Sequence, residues 1–550
     1  MLSGNEALAR ALGASRLRTS HGFVGVPLHR FVDGVTAKPP APLVHRPASS
    51  DLAAAGLALG GALLSGNGAC LLLRAGGLNV ALEALATLGL VNELRSPLVI
   101  VAGFDPGPVS AATAQDDRAT LARVCHFLQL DPGSPDELYH MTRLAVTASR
   151  AAGAPVVVRV SSRVLDATAE VREATADPAE AGAPTYARAA GPFVLSSATY
   201  RYHVDKRELR LAQLQGLATA LVTRTGAAGA AGVVLAGHLG PRAQAKVASR
   251  RVPTLRLGAA WPLPRRALVE FLRDKREVLV LEEGEPFLER ELQAIAQNAG
   301  LGCRVRGLDD RRPIRLDDER LDVVLRRLGA AVEEVRPAER DAVAWRAVAD
   351  TLAPLGPVDI EPWPLYLART RGKLWGFSPT DRRAQLLGAI RALPRPTMVV
   401  ADPSGVALLG FRDKLIDVKA GFGLAPSIAG ALAEASEIEE VPGRPLAVAL
   451  LGDLNLFQSS LLGLVDNHAQ RRDVLHVILV REVEPVGINV AGATLGSLID
   501  AQLRALGVPY LTARLGEPAC EEALRTIAAE EGPRALVCLG APGREDAIGG

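Results

Sequence analysis

Short, nearly unbroken apolar runs recur along the chain, and each is followed by a stretch in which apolar residues return at helical spacing. In the first third the runs are Leu43–Arg46, Ala69–Arg74 (ACLLLR), Pro97–Asp105 (PLVIVAGFD) and Pro155–Ser162 (PVVVRVSS). An Ala-rich helical pattern starting at Asp51 and a second from Val80 lie between them. A continuous apolar run of strand length suits a strand covered on both faces, and strand–helix alternation predicts a parallel sheet with helices on both sides. Further on, Gly232–Ala236, Thr254–Leu257 and Glu277–Leu281 repeat the pattern on a smaller scale. The last third repeats it again, with PTMVVAD, the Gly-rich turn and helix GFGLAPSIAG at Gly421–Gly430, Pro445–Asp453, HVILV and RALVCLG. A second large parallel sheet is expected there.

The stretch Arg172–Ala190 is rich in Ala, Pro and acid and poor in periodicity, so it reads as a linker or an excursion and marks a domain boundary. The expected fold class is therefore multidomain α/β. Two doubly wound parallel-sheet domains, at residues 1–185 and 352–550, flank a smaller α/β domain at 190–345.

At 550 residues the chain exceeds what one core supports. Its 62 basic and 60 acidic residues give a formal charge of +2 and are spread evenly, so there is no basic track for nucleic acid. No apolar run reaches the roughly 20 residues needed to cross a bilayer. The opening MLSGNEALARAL has an acid where a signal peptide carries basic residues, so no membrane association and a cytoplasmic location are expected. The five cysteines are widely spaced and form no CxxC, which argues for buried thiols and against zinc or an iron–sulfur cluster. The nine histidines show no HxH or HExxH pairing. A serine-hydrolase elbow is absent, and Ser404 in DPSG reads as a turn residue.

Ligands of doubly wound sheets bind beyond the carboxyl ends of the strands, so residues just after each apolar run carry the information. Gly452, Asp453 and Leu454 follow the Pro445 run. A glycine there admits a phosphate and a carboxylate there can hold a divalent ion, although Asp453 could equally cap a helix. Gly421–Gly430, which includes Gly423, either lets backbone approach a cofactor or lets helices pack closely. Asp51 either stabilises its helix start or places a carboxylate in a crevice. Arg74 and Asn79 could orient an acidic substrate, Asp105 lies in a Pro-Gly turn, and His21 is the histidine to watch as a pocket residue.

Taken in order, LSGNEALARAL, Gly22–Gly34, Arg74–Leu85, Asp105–Arg118, Leu255–Leu272, Val278–Glu291 and Leu450–Asn467 resemble the alpha subunit of indolepyruvate:ferredoxin oxidoreductase. That group lies within the thiamine diphosphate-dependent 2-oxoacid:acceptor oxidoreductases, and the similarity runs over nearly the whole chain. It implies a pyrimidine-binding domain, a transketolase-C-like domain and a diphosphate-binding domain, with the cofactor held between the first and last, usually of different subunits. It also implies Mg²⁺, a beta-subunit partner, a homo-oligomer and decarboxylation of an aryl pyruvate.

By that resemblance Asp51 stands where the family has an activating Glu, one methylene longer, and Asp453 stands at the first metal ligand. Arg481 stands where the family has a ligating Asn, and a guanidinium has no lone pair for Mg²⁺ but can pair with phosphate. WGFSPTDRRAQ replaces a family Cys-Pro-x-Cys-Pro stretch, and the ferredoxin-like tail is missing, so no iron–sulfur cluster is expected. Three readings stay open: a thiamine diphosphate-dependent 2-oxo acid enzyme, a non-catalytic partner-binding or regulatory subunit, and the same fold holding another phosphorylated ligand through Arg481.

Overall fold

The computed structural model describes residues 1–38, 40, 42–64, 68–91, 94, 96–104, 116–173, 193–194, 200–226, 229–250, 252–308, 316, 321–324, 344–355, 381–402, 415–419, 421, 423–438, 440–441, 443–481 and 494–541. The loop 105–115, most of the Arg172–Ala190 linker, residues 375–380, Ser404 and the tail 542–550 lie outside the described residues.

Three large sheets organise the described residues, beside a two-stranded pair of Leu2–Ser3 with Thr168–Ala169. The first runs in space as Ala259–Trp261, Leu128–Leu130, Val156–Ser161, Leu98–Phe104, Ala69–Leu73, Thr19–Gly22, Val44–Pro47. All its pairings are parallel except that of the Ala259 strand. The last sheet runs Tyr510–Arg514, Arg534–Ala541, Val474–Arg481, Leu446–Gly452, Thr397–Ala401, Val418–Lys419, Phe193–Val194, parallel throughout. A five-stranded sheet between them in sequence is built around Ala231–Ala236.

Setting aside one added edge strand in each, the two large sheets follow the same order. Numbered from its own first strand, each reads 2-1-3-4-6-5. In both, the chain leaves the first strand toward one edge and returns to its other side. The first and third strands therefore flank a switch point, where a crevice opens beyond the carboxyl ends.

The helix that makes this return is Asp51–Leu64 in the first sheet and Ala425–Ile438 in the last. Beyond its first residue, the Asp51 helix is DLAAAGLALGGALL without another polar side chain, so all its faces need cover. Its partner on one face is the Ala425 helix. A Cβ added at Gly56 would stand 2.7 Å from Ser427 Cβ, and one at Gly60 would stand 2.6 Å from the Ile428 carbonyl and 2.7 Å from Ala431 Cβ. Numbers rise together along both helices, so the two run parallel and start at the same end. One apolar cluster spans the join, from Leu71, Leu73 and Ile100 through Leu57, Ile428 and Leu432 to Val400, Ala449 and Ile478.

The middle sheet is tied to the first by buried charges. Arg118 Nη1 donates to Glu282 Oε2 at 2.6 Å and also pairs with Asp116. Arg159 reaches Asp117 and Asp131, each at 2.7 Å, and His238 Nδ1 lies 2.9 Å from Asp131. The QDDR segment thus serves this joint through Asp116, Asp117 and Arg118. Among the described residues no helix is long and apolar enough to cross a membrane.

The glycine contacts give a paired prediction. Gly60→Ala is expected to destabilise by about 1–3 kcal/mol, because the added methyl must force the helices apart. Gly216→Ala, in the helix Tyr200–Ala220 where an added Cβ meets nothing within 4 Å, is expected to stabilise by about 0.4–1 kcal/mol. Denaturant unfolding of both variants checks this, and equal effects would contradict the close contact.

Candidate functional site

Because the paired helices start together, their first residues and the carboxyl ends of strands from both sheets lie at one end of the joined sheets, where the strand order opens a crevice. On the first-sheet side, Asp51 opens its helix and Arg74 follows the strand Ala69–Leu73. Arg74 Nε donates to Asp51 Oδ2 at 3.2 Å, and the guanidinium lies 5.2 Å from the centre of the Phe23 ring. Asp51 is buried, and a Cβ at Gly77 would overlap its Oδ1, which explains a glycine there. Oδ1 itself accepts no hydrogen bond among the described residues. Burial pushes the Asp51 carboxyl up from its usual range, and Arg74 opposes that.

Two other expected residues stand apart from this pair. Asn79 is exposed, two residues beyond the Gly77 that abuts Asp51. His21, on the strand Thr19–Gly22, has its Nε2 3.9 Å from the Cβ position of Gly61, nearly three turns along the helix from Asp51. Its ring is buried, neither nitrogen has a hydrogen-bond partner among the described residues, and burial pushes it down to about 3, so it is a neutral imidazole in the seam between the helices and the first sheet.

On the last-sheet side, the strand Leu446–Gly452 delivers Asp453, with Gly452 as the cap residue. Asp453 neither caps the helix nor faces solvent. Its Oδ1 accepts from the Leu454 amide at 2.7 Å and from Arg481 Nε at 3.1 Å, and its Oδ2 accepts from the Arg481 amide at 3.0 Å. Arg481 ends the adjacent parallel strand, and its Nη2 stands 3.1 Å from Asp453 Oδ1. Asp453, expected as a metal ligand, and Arg481, expected as a phosphate contact, are therefore an ion pair with each other.

This donor set does not fit Mg²⁺. Both carboxylate oxygens are engaged by N–H groups, and the guanidinium brings positive charge but no lone pair. No group of three or more His, Cys, Asp or Glu that could hold a metal occurs among the described residues. Arg481 Nη2 is buried and makes no well-formed hydrogen bond, so a donor remains for an anionic oxygen. The glycine run answers to backbone and packing: Gly421 and Gly423 have φ of +61° and +72°, and a Cβ on Gly423 would overlap Ser459.

Sequence reasoning missed a second polar group in the crevice. Asp402 follows the strand Thr397–Ala401 and is fully buried. It accepts from the Ala425 amide at 2.9 Å, at the start of the paired helix, and from Ser460 Oγ at 2.6 Å. Burial pushes its carboxyl up to about 6, and the nearby Glu83 of the first unit adds to that. Lys419, one strand away, is pushed down to about 8 by burial, with Asp402 partly restoring it. The signal was present, since Asp402 ends the apolar run PTMVVAD just as Asp453 ends its own.

No family model matches the chain. It is 29% identical over 321 residues to "Indolepyruvate oxidoreductase subunit IorA" of Methanothermobacter thermautotrophicus, a match spanning 56% of this chain and 50% of that protein. It is 24% identical over 505 residues to the IorA subunit of Thermococcus kodakarensis, spanning 87% of this chain and 74% of that one. The chain thus matches about half the length of the first relative, and it is a distant relative of these subunits. In fold it is similar to the thiamine diphosphate-dependent 4-hydroxybenzoylformate decarboxylase of Rhodococcus jostii RHA1, with a TM-score of 0.50, 16% identity and 99% and 100% of the two chains covered. At that identity the likeness concerns the fold alone.

The Asp402 carboxyl makes stability depend on pH. Its folded value, raised to about 6 from 3.8, means that its full contribution is present below about 3.8 and is lost as pH rises through about 6. Asp402→Asn removes the titration. The stability of that variant relative to the parent is expected to grow by about 1–2 kcal/mol between pH 5 and pH 8. Denaturant unfolding at several pH values measures the gap, and a gap that does not change with pH would show an unperturbed carboxyl.

Proposed function

We propose that the chain is a thiamine diphosphate-dependent protein acting on a 2-oxo acid such as an aryl pyruvate, in which Arg481 takes over the charge-neutralising role of a divalent ion. The observation that carries this reading is the pairing of two sheets of the same strand order, with a buried carboxylate opening the return helix of one and an Asp–Arg pair at the ends of the third and fourth strands of the other. The distant relationship to IorA subunits supports it.

The pyrimidine side fits such a cofactor, since Asp51 offers a buried oxygen without a donor at the crevice. Asp51 would hold or accept a proton at the ring nitrogen it faces, its carboxyl already raised by burial. The diphosphate would be met by Arg481 Nη2 and the approachable backbone at Gly452. Arg74, held against Asp51 and Phe23, would carry positive charge for the substrate carboxylate. When bound, the cofactor supplies the electron sink that decarboxylation of a 2-oxo acid needs. An oxidative outcome would further require an acceptor on a partner chain of the beta-subunit type, and a homo-oligomer is part of the same proposal.

A second reading has its own support. Asp51 and Asp453 are both already paired with arginines, which suits a non-catalytic subunit or a site for another phosphorylated ligand. Calorimetric titration of the full chain with thiamine diphosphate, with Mg²⁺ or with chelator, separates the readings. The expected result is saturable binding that Mg²⁺ changes by less than about twofold. Arg481→Asn is expected to weaken binding at least about tenfold in chelator, with Mg²⁺ restoring much of the loss. Absence of binding under either condition, with and without an added beta-type subunit, would leave the non-catalytic reading; inorganic pyrophosphate binding as tightly as the cofactor would favour the third.

A further inference from the structure

The far end of the paired helices holds a cavity of about 210 Å³, opposite the crevice. It lies where the chain enters the strands Thr397–Ala401, Leu446–Gly452 and Val474–Arg481, against the last turns of the Ala425 helix. Its walls carry five arginines, Arg46, Arg395, Arg444, Arg471 and Arg472. Three carboxylates face them: Glu434, Glu437 and Asp473. The wall is thus in cationic excess by two charges.

The internal pairing leaves that excess unanswered. Glu434 is divided between Arg46 and Arg472, the latter through Nε at 3.1 Å. Asp473 is divided between Arg395 at 2.6 Å and Arg534 at 2.5 Å. Arg444 and Arg471 have no carboxylate partner among the described residues and reach solvent. Arg472 is the decisive residue. Its side chain is 3% exposed; Nη2 stands 3.1 Å from Glu434 Oε2, and Nη1 has no hydrogen-bond partner among the described residues.

A buried guanidinium nitrogen left without an acceptor, as Nη1 is, is costly, and an acceptor that also neutralises charge would remove the penalty. Water could reach the cavity but would leave the charge. The carbonyl end of the Ala425 helix adds partial negative charge nearby, which five arginines outweigh. Arginine forks match phosphate oxygens in pairs, and a space of this size exceeds by far the roughly 10–15 Å³ that one water needs.

We propose that this cavity is a binding site for a small phosphoryl-bearing anion, separate from the crevice and independent of whether thiamine diphosphate binds there. Arg472 would supply the buried donors, Arg444 and Arg471 the outer ones, and Arg46 a contact from the first sheet.

The test is calorimetric titration of the full chain with inorganic phosphate and with pyrophosphate, against potassium chloride at matched ionic strength. Saturable binding is expected, weakened at least about tenfold in Arg471→Met and Arg444→Met. Both residues are exposed, so these variants keep the fold. Arg481→Met, at the crevice, is expected to leave one phosphate site intact. Binding no different from the chloride control overturns the proposal. So does binding that survives both cavity substitutions but disappears with Arg481→Met, which would put the anion in the crevice.

Discussion

The contact on which everything else depends is the close parallel packing of the Asp51 helix on the Ala425 helix. Gly56 and Gly60 allow it, because any side chain there would run into Ser427, Ile428 or Ala431. The pairing joins the two large sheets across one apolar cluster. It also fixes direction. Since both helices start at the same end, Asp51, Asp402 and the Asp453–Arg481 pair lie at one end of the joined sheets instead of at opposite ends. The dryness of the seam then perturbs the groups it encloses: the carboxyl of Asp402 rises, and the imidazole of His21 stays neutral.

Charge inside this chain is handled by arginine. Asp51 is met by Arg74, Asp453 by Arg481, Glu282 by Arg118, Asp131 by Arg159 and Glu434 by both Arg46 and Arg472. At the pairs buried on both sides, Arg118–Glu282 and Arg159–Asp131, removing one partner costs about 3–5 kcal/mol, because the other charge is stranded. At Asp453 the consequence is chemical as well as structural. A guanidinium fixed to the strand end neutralises the carboxylate permanently and donates hydrogen bonds, whereas a divalent ion would coordinate oxygens of protein and ligand together.

The long strands were legible because runs such as ACLLL and LVIVAGF are apolar without a break, which only a covered parallel sheet explains. Thr19–Gly22 was not, because TSHG is polar in composition although every residue is buried. Nor were Leu128–Leu130 and Tyr510–Arg514, which are too short or too polar to stand out. Asp51, Asp453 and Arg481 were each singled out by position, but the pairs Asp51–Arg74 and Asp453–Arg481 depend on which strands lie side by side. The glycine run was read two ways, and the φ angles of Gly421 and Gly423 favour backbone and packing. The basic cavity was invisible because its arginines come from four separated segments that only the fold gathers.

The seam also explains how the shape of the crevice and its chemistry can part company. Gly56, Gly60, Ser427 and Ala431 hold the helices together without help from Asp51 or Asp453, so the sheets keep their relation whatever those two side chains do. A shorter acid at position 51 or an arginine at 481 alters the electrostatics of the crevice but leaves the packing that forms it. Resemblance across the apolar framework therefore speaks for the fold, and the reaction must be argued from the few polar atoms at its rim. Of these, the Asp453–Arg481 pair is the most informative, because it fixes the kind of charge a ligand's phosphates would meet there.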